Sequence, residues 1–308
     1  MISLGAAAIL AAALMSREVA VTFDDLPAVP LSIPLARQQT LTRDLLRSIK
    51  AAGVPAIGFV NENKVETHGK VDPRKVKLLE QWLDAGLDLG NHSYSHPDLH
   101  RVDVATYEKN IIKGERIIRP LLKKRSRELR WFRHPFLHTG TSLATRTRVE
   151  ELLRKRGVRV APVTLDNSEW IFARAYENAI AAGDADLMKR LGIEYVAYMD
   201  RKLAYFEDQS QRLFGRNIRH VLLVHANALN ADWFDEVAAS MRQRGYSFIS
   251  IERAMQDPAY SSRDAYTGPK GLTWIHRWAI TEKKPRAFFG DEPRTAQWVL
   301  DAAGMDSE

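Results

Sequence analysis

Short apolar runs alternate along the chain with segments whose apolar positions recur every three to four residues. This is the pattern of an α/β chain in which strands and helices take turns. Glu18 to Phe23 (EVAVTF) reads as a first strand, followed by a helix over Ala36–Ala52 that Gly53 stops. Ala56 to Val60 (AIGFV) is a second strand. Asp72-Pro73 reads as an N-cap with proline at the first helical position, and that helix runs to about Ala85 before Gly86. Leu87–Leu89 is a short third strand leading into Gly90-Asn91-His92. The pattern then predicts one long helix over Val104–Lys124, a strand over Leu129–Phe132 and a helix over Ser142–Arg156. A strand over Val158–Leu165 follows, with Pro162 marking an edge or an irregular end. Trp170 to about Arg212 is mostly helical and longer than one crossover needs. His220–Val224 reads as a buried strand, Ala231–Arg244 as a helix and Tyr246–Ile251 as the last strand. From about Pro258 the periodicity weakens, so this tail is expected to wrap the surface and fray at its last residues.

Composition narrows the chemistry. The chain has no cysteine, so any metal must be held by His, Asp or Glu. With 45% hydrophobic and 27% charged residues among 308, it is an ordinary globular chain that can bury a large core. The formal charge of +7 is scattered. Its densest run, Lys123-Lys124-Arg125 continuing to Arg127 and Arg130, reads as a solvated helix end, and no motif supports a nucleic-acid partner. Gly5 to Met15 is apolar but too short for a bilayer span, which needs roughly 20 residues. Its length suits a secretory signal, with Ser16 near the cleavage point, although no Lys or Arg precedes it. The expected organisation is a signal at 1–16, a catalytic domain at 17–257 and an extension at 258–308. Export to the periplasm or outside follows; the alternative is a cytoplasmic protein that starts at Met15.

Five segments lie at or just past the C-terminal ends of predicted strands, the rim where α/β barrels assemble their sites. Thr22-Phe23-Asp24-Asp25-Leu26-Pro27 sets two carboxylates side by side, which a cation would relieve, or forms an acidic turn before the proline. In Gly90-Asn91-His92-Ser93-Tyr94-Ser95-His96-Pro97 two histidines four apart would share one face of a helical turn and meet one ion. Arg133, in Arg133-His134-Pro135-Phe136, could grip a carboxylate bidentately or be a surface residue at a turn. His134 is read as packing or surface. Asp166-Asn167-Ser168-Glu169-Trp170 could equally be a helix start with a core Trp. His225, after a buried apolar strand, suits a general acid or a satisfied core histidine. His68, His100, His138, His220 and His276 have no comparable setting and carry no assignment.

Together the segments resemble the polysaccharide deacetylases with a NodB homology domain, carbohydrate esterase family 4. The family's five motifs, TFDD, H-S-x-x-H, R-x-P-F, an acid-Trp pair and L-x-H, occur in order between about residues 17 and 255. The resemblance implies a distorted (β/α)-type barrel of about seven strands, here with an enlarged helical excursion. It implies a divalent metal, zinc first and cobalt next, held by Asp25, His92 and His96. It makes Asp24 the catalytic base, Arg133 the residue that orients it and His225 the general acid. It places a backbone donor for the oxyanion at Phe136, and substrate walls at Trp170 and Leu223. Glu169 matches an acid, normally Asp, that tunes the catalytic histidine, so this chain departs by one methylene. The implied activity is hydrolysis of acetyl groups on an N-acetylated sugar polymer or oligomer, of chitooligosaccharide or peptidoglycan type. Two alternatives stand beside it: an amidohydrolase of the same superfamily acting on a small non-sugar amide, and a non-catalytic carbohydrate-binding relative. No transmembrane segment is expected, and the sequence assigns no oligomeric state.

Overall fold

In the computed structural model, which describes residues 17–30 and 33–308, β1 (Arg17–Leu26) is buried at almost every position. Near-continuous apolar strands of this kind belong to parallel sheets covered on both faces. The expected signal at 1–16 lies outside the described residues. After β1 come α1 (Leu35–Ala51), β2 (Ile57–Val60) and a small hairpin of β3 (Glu66–Thr67) and β4 (Lys70–Val71). Then follow α2 (Pro73–Asp84), β5 (Asp88–Asn91), α3 (Val104–Lys113), α4 (Ile118–Lys123) and β6 (Trp131–Phe132). The chain continues through α5 (Leu143–Lys155), β7 (Arg159–Val160), α6 (Glu169–Ala182), α7 (Ala185–Phe214) and β8 (His220–His225). It ends with α8 (Ala228–Gln243), β9 (Tyr246–Phe248), α9 (Ile251–Ala254), α10 (Trp274–Thr281) and α11 (Gln297–Ala303).

The main sheet is parallel and runs β7-β6-β5-β2-β1-β8, with β9 pairing Arg17–Val19 at the start of β1. It curls until its two ends meet. Ala161 N–H donates to Phe132 O, and four residues later Leu165 bridges Leu222 on β8. The single strand expected over 158–165 is therefore two short contacts separated by Pro162, which has no N–H to give a ladder. The expected distorted barrel of about seven strands is the observed fold, and the helical excursion is α6 and α7.

Alternation along the strands decides what points inward. Ala20, Ile57, Phe59, Trp131 and Val221 fill the barrel floor. Val19, Val21 and Phe23 face the helices instead. Phe23 meets Trp82 of α2 and Phe234 of α8 edge-on, with ring centroids 5.6 and 5.1 Å apart. Removing such a buried aromatic typically costs about 3–5 kcal/mol. Residues in phase with the floor two or four positions later must lie at the mouth: Asp24 after Ala20, Arg133 after Trp131 and His225 after Val221.

Several expected elements are cut shorter by specific local chemistry. The long helix over 104–124 is two helices. At Gly114 a Cβ would lie 2.6 Å from the Ser93 carbonyl carbon, and the buried Glu62 carboxylate caps the second helix through Ile117 and Ile118 N–H at 2.7 and 2.9 Å. The 170–212 helix breaks at Gly183, which takes a left-handed φ of 68°, and Asp184 caps the restart. The last strand stops at Phe248 because Ser250 caps a helix that begins at Ile251. The strand at 129–132 keeps only Trp131 and Phe132. The tail does more than wrap the surface: Trp278, Phe288 and Val299 are buried in the core. Its last residue is tied down as well, with Glu308 accepting from Ser168 Oγ and Thr295 N–H.

Candidate active site at the barrel mouth

β1 and β8 pair in a register that sets Asp24 directly beside His225. Asp25, one residue on, turns with a left-handed φ of 72° and so swings its carboxylate toward β5. There Asp25 Oδ1 lies 3.7 Å from His92 Nε2 and 3.8 Å from His96 Nε2. The two histidines do not share a helical turn as expected. The loop after β5 is irregular, with Ser93 and His96 at positive φ, and it folds the rings to a centroid distance of 4.8 Å at 76°. Ser93 Oγ accepts from His96 N–H at 3.0 Å and Asn91 Oδ1 from Ser93 N–H at 2.6 Å, so side chains replace the helical ladder.

These three residues fit a divalent metal. Asp25 Oδ1 stands 3.7 and 3.8 Å from the two Nε2 atoms, near the roughly 3.4 Å between ligands of a tetrahedral zinc site. Asp25 Oδ1 is buried without a hydrogen-bond partner. His92 gives its other nitrogen, Nδ1, to Arg133 O at 2.9 Å, which leaves Nε2 as the lone-pair face. Burial, against the pull of Asp25, pushes His92 down to about 4. Burial and the neighbouring His92 ring do the same for His96, also to about 4. Both imidazoles are thus neutral near pH 7, as ligation requires. Burial works against ionising Asp25, but Lys64, then His92 and His96, outweigh it and hold the carboxyl below the ordinary range. Lys64 had no signal in the sequence. Its Nζ donates to Asp25 O at 3.0 Å and stands 3.4 Å from Oδ1.

Next to this cluster is Asp24, whose Oδ2 is 3.8 Å from His92 Nε2 and 3.7 Å from Arg133 Nη1. The expected bidentate grip is absent: Arg133 turns its Nη2 to Thr22 Oγ1 at 2.9 Å. Thr22 in turn donates to Leu222 O at 2.8 Å. Burial raises the Asp24 pKa, with Arg133 and His225 pulling the other way.

Paired with Asp24 across the strands is His225, with Nδ1 2.8 Å from Glu169 Oε2. Glu169 is 1% exposed and opens α6. Its second oxygen accepts from Asn227 Nδ2 and, at 2.7 Å, from Asn230 Nδ2. Tyr195 of α7 donates to Asn230 Oδ1 at 2.8 Å and so fixes that amide. Burial alone would depress His225; the Glu169 hydrogen bond and charge win, and the imidazole is pushed up to about 9. Trp170 is not a core residue: it is 45% exposed. Leu223 forms a small apolar cluster with Leu137 and Val163, against which Trp274 of α10 packs.

Phe136 is 53% exposed, and its ring meets His96 at 4.5 Å. Phe136 and Leu137 both sit at positive φ, 58° and 54°. Such residues cost of order 1–3 kcal/mol each and persist only where the surroundings over-determine them. His134, left to packing, is buried and pairs with Tyr107 OH at 2.9 Å. His100 and His138 stack in parallel 3.9 Å apart; His138 bonds Asp98 at 2.7 Å and His100 reaches Pro269 O and Gly140 N. Asp98, His100 and His138 are close enough to suggest a second metal site, but both His100 nitrogens are already engaged. They tie two loops together instead.

Comparison with curated proteins returns no match to this chain. Among solved structures, a CE4 family pseudoenzyme from Bacillus anthracis superposes with a TM-score of 0.51 at 15% identity, covering 79% of this chain and 66% of that one. A mutant of it described as having restored enzymatic activity gives 0.51 at 16%, over 79% and 68%. The peptidoglycan deacetylase PdaC from Bacillus subtilis gives 0.49 at 21%, over 79% and 91%. At these identities the likeness at 0.51 establishes a shared fold. The polysaccharide deacetylase family model matches residues 12–161, a span that contains Asp24, Asp25, His92, His96, Arg133 and Phe136. Over residues 12–161 the chain is similar to the polysaccharide deacetylase family.

Proposed function

We propose that this chain is a metal-dependent hydrolase that removes acetyl groups from an N-acetylated sugar polymer or oligomer and releases acetate. One observation carries the reading. A trio able to hold a metal, Asp25, His92 and His96, adjoins a buried carboxylate, Asp24, which is paired across the strands with an imidazole held protonated, His225. Amide hydrolysis needs a base for water and an acid for the departing amine, and these two neighbouring groups supply them.

A bound divalent cation would add Lewis acidity toward the acetyl carbonyl. The protein groups do the rest. Asp24, made more basic by burial, takes a proton from the water whose oxygen bonds to the acetyl carbon. Arg133 keeps that carboxylate in place. Phe136 N–H donates to the oxygen that becomes negative. His225 passes its proton to the sugar nitrogen as the C–N bond breaks, leaving acetate and a free amine. Glu169 keeps His225 charged until then. Trp170 offers an exposed aromatic face to a sugar ring, and Leu223 an apolar surface to the acetyl methyl.

We read residues 17–257 as the catalytic domain, 258–308 as an extension on it, and 1–16 as an export signal. No helix among the described residues is long and apolar enough to cross a membrane. The deciding experiment is acetate release from chitin oligosaccharides, peptidoglycan and acetylated xylan, with and without added zinc. Zinc-stimulated release from an N-acetylated substrate is the expected result. Turnover of small non-sugar amides alone would move the chain to another amidohydrolase activity, and binding of sugar without release would make it a non-catalytic relative.

A further inference from the structure

Two consecutive residues with side chains, Phe136 and Leu137, are held in left-handed backbone at the mouth, and something must hold them there. The chain that covers them comes from far away in sequence. Gly271 lies so close that a Cβ on it would sit 1.8 Å from Phe136 O and 3.3 Å from Leu137 Cβ. Its own φ is not left-handed, so glycine is required here for space and not for conformation.

The segment around Gly271 is anchored at both ends. Before it, Arg146 of α5 donates to Asp264 O at 2.9 Å and to Tyr266 O, and His100 Nδ1 lies 3.3 Å from Pro269 O. After it, Trp274 N–H donates to Val163 O at 2.7 Å and the indole packs against Leu137 and Leu223. The buried Arg277 closes the loop, with its guanidinium 2.6 Å from Asp264 and 2.7 Å from Thr139 Oγ1. Thr139 follows directly on the Phe136–His138 turn.

We infer that residues 264–277 are a working part of the active site: Gly271, pressed on the Phe136 carbonyl, holds the Phe136–Leu137 backbone so that the Phe136 N–H faces the reacting carbonyl. Gly271 is a positioning residue, acting through Phe136. This inference rests on the deacetylase reading above, in which Phe136 N–H meets the developing oxyanion. Displacing that donor by about 1 Å removes a contact made most strongly in the transition state, so kcat falls more than KM rises.

The test is G271A in the full-length, zinc-loaded protein, with H100A and H100Q alongside, since these loosen the same segment without a clash. Wild-type acetate release establishes the reading first; its failure sinks the reading itself. Given release, G271A should lose roughly 10–100-fold in kcat with KM changed less than about threefold. Zinc affinity, by chelator competition, should match wild type. H100A should lose less, and H100Q, which keeps a polar group, should recover part of that. Acetate, which offers a carboxylate oxygen to the same N–H, should bind G271A more weakly than wild type by calorimetry, a readout that needs no turnover. A folded G271A with wild-type kcat overturns the inference, and so does a loss explained by lost zinc. If G271A fails to fold, wild-type kcat in H100A overturns it, and a lowered kcat with unchanged zinc affinity upholds it.

Discussion

His225 Nδ1 and Glu169 Oε2 stand 2.8 Å apart, and the carboxylate is fixed by two asparagine amides before it meets the ring. Glutamate meets the ring from the first residue of α6, and its partner His225 is the last residue of β8. The pair keeps His225 protonated up to about 9, against an ordinary value of 6.5.

The alkaline limb of the rate profile should therefore lie near pH 9 and move to lower pH in E169Q, with zinc content unchanged. Stability follows the same sign. His225 holds its proton more tightly folded than unfolded, so its contribution is complete below about pH 6.5 and is lost as pH rises through about 9. E169Q should flatten that decline in thermal unfolding measured across pH 6.5–9. A limb that stays in place would make Glu169 a helix-start residue only.

Asp24 and the metal trio should separate under mutation. D24N keeps all three ligand side chains and should retain zinc while losing at least roughly a hundredfold in rate. Elemental analysis beside acetate release checks both halves, and near-normal turnover would remove Asp24 from the role of base.

Metal binding should be sensitive to acid and to the loss of a ligand. Both imidazoles are neutral down to about pH 4, so protons should begin to displace zinc only as pH approaches that value. H92A should lose zinc and activity together at neutral pH. A chelator should abolish wild-type activity, and zinc or cobalt should restore it. Full activity in protein shown to be metal-free would reject the mechanism.

The paired start of β1 limits how an exported chain can be trimmed. Arg17, Glu18 and Val19 ladder with Tyr246, Ser247 and Phe248, so the mature chain should begin between about Ala13 and Arg17. Intact mass of the native protein checks this, and Met1 retained on a cytoplasmic protein contradicts export.

What was legible in the sequence was what depends on near neighbours. Asp24-Asp25 sit at a strand end, and His92 and His96 lie four apart just past another, although the helical turn expected for them is an irregular loop. Strand ends and helix breaks were less legible, because they turn on distant groups. Glu62 caps a helix more than fifty residues away, and Ser93 crowds Gly114. Lys64 and Asn230 escaped notice for a similar reason. Each is an ordinary polar residue until the barrel curls and brings it to Asp25 or Glu169. Gly271 carried no motif, and only the close approach to Phe136 gives it meaning.

The ring of strands is not equally firm all the way round. From β5 through β2 and β1 to β8 neighbouring strands pair directly, with one register shift between Phe23 and Leu26, and Asp24, Asp25 and His225 lie on that arc with His92 just past β5. Between Val160 and Leu222 the circle is completed by a few isolated bonds around Pro162 and by Trp274 from the tail. Segments held by few backbone hydrogen bonds are where local opening costs least. Acid, base and metal ligands would keep their mutual distances while the segment carrying Leu137 and Val163 shifted. On the deacetylase reading proposed above, a site divided in this way should fit acyl groups of differing bulk without disturbing its proton chemistry.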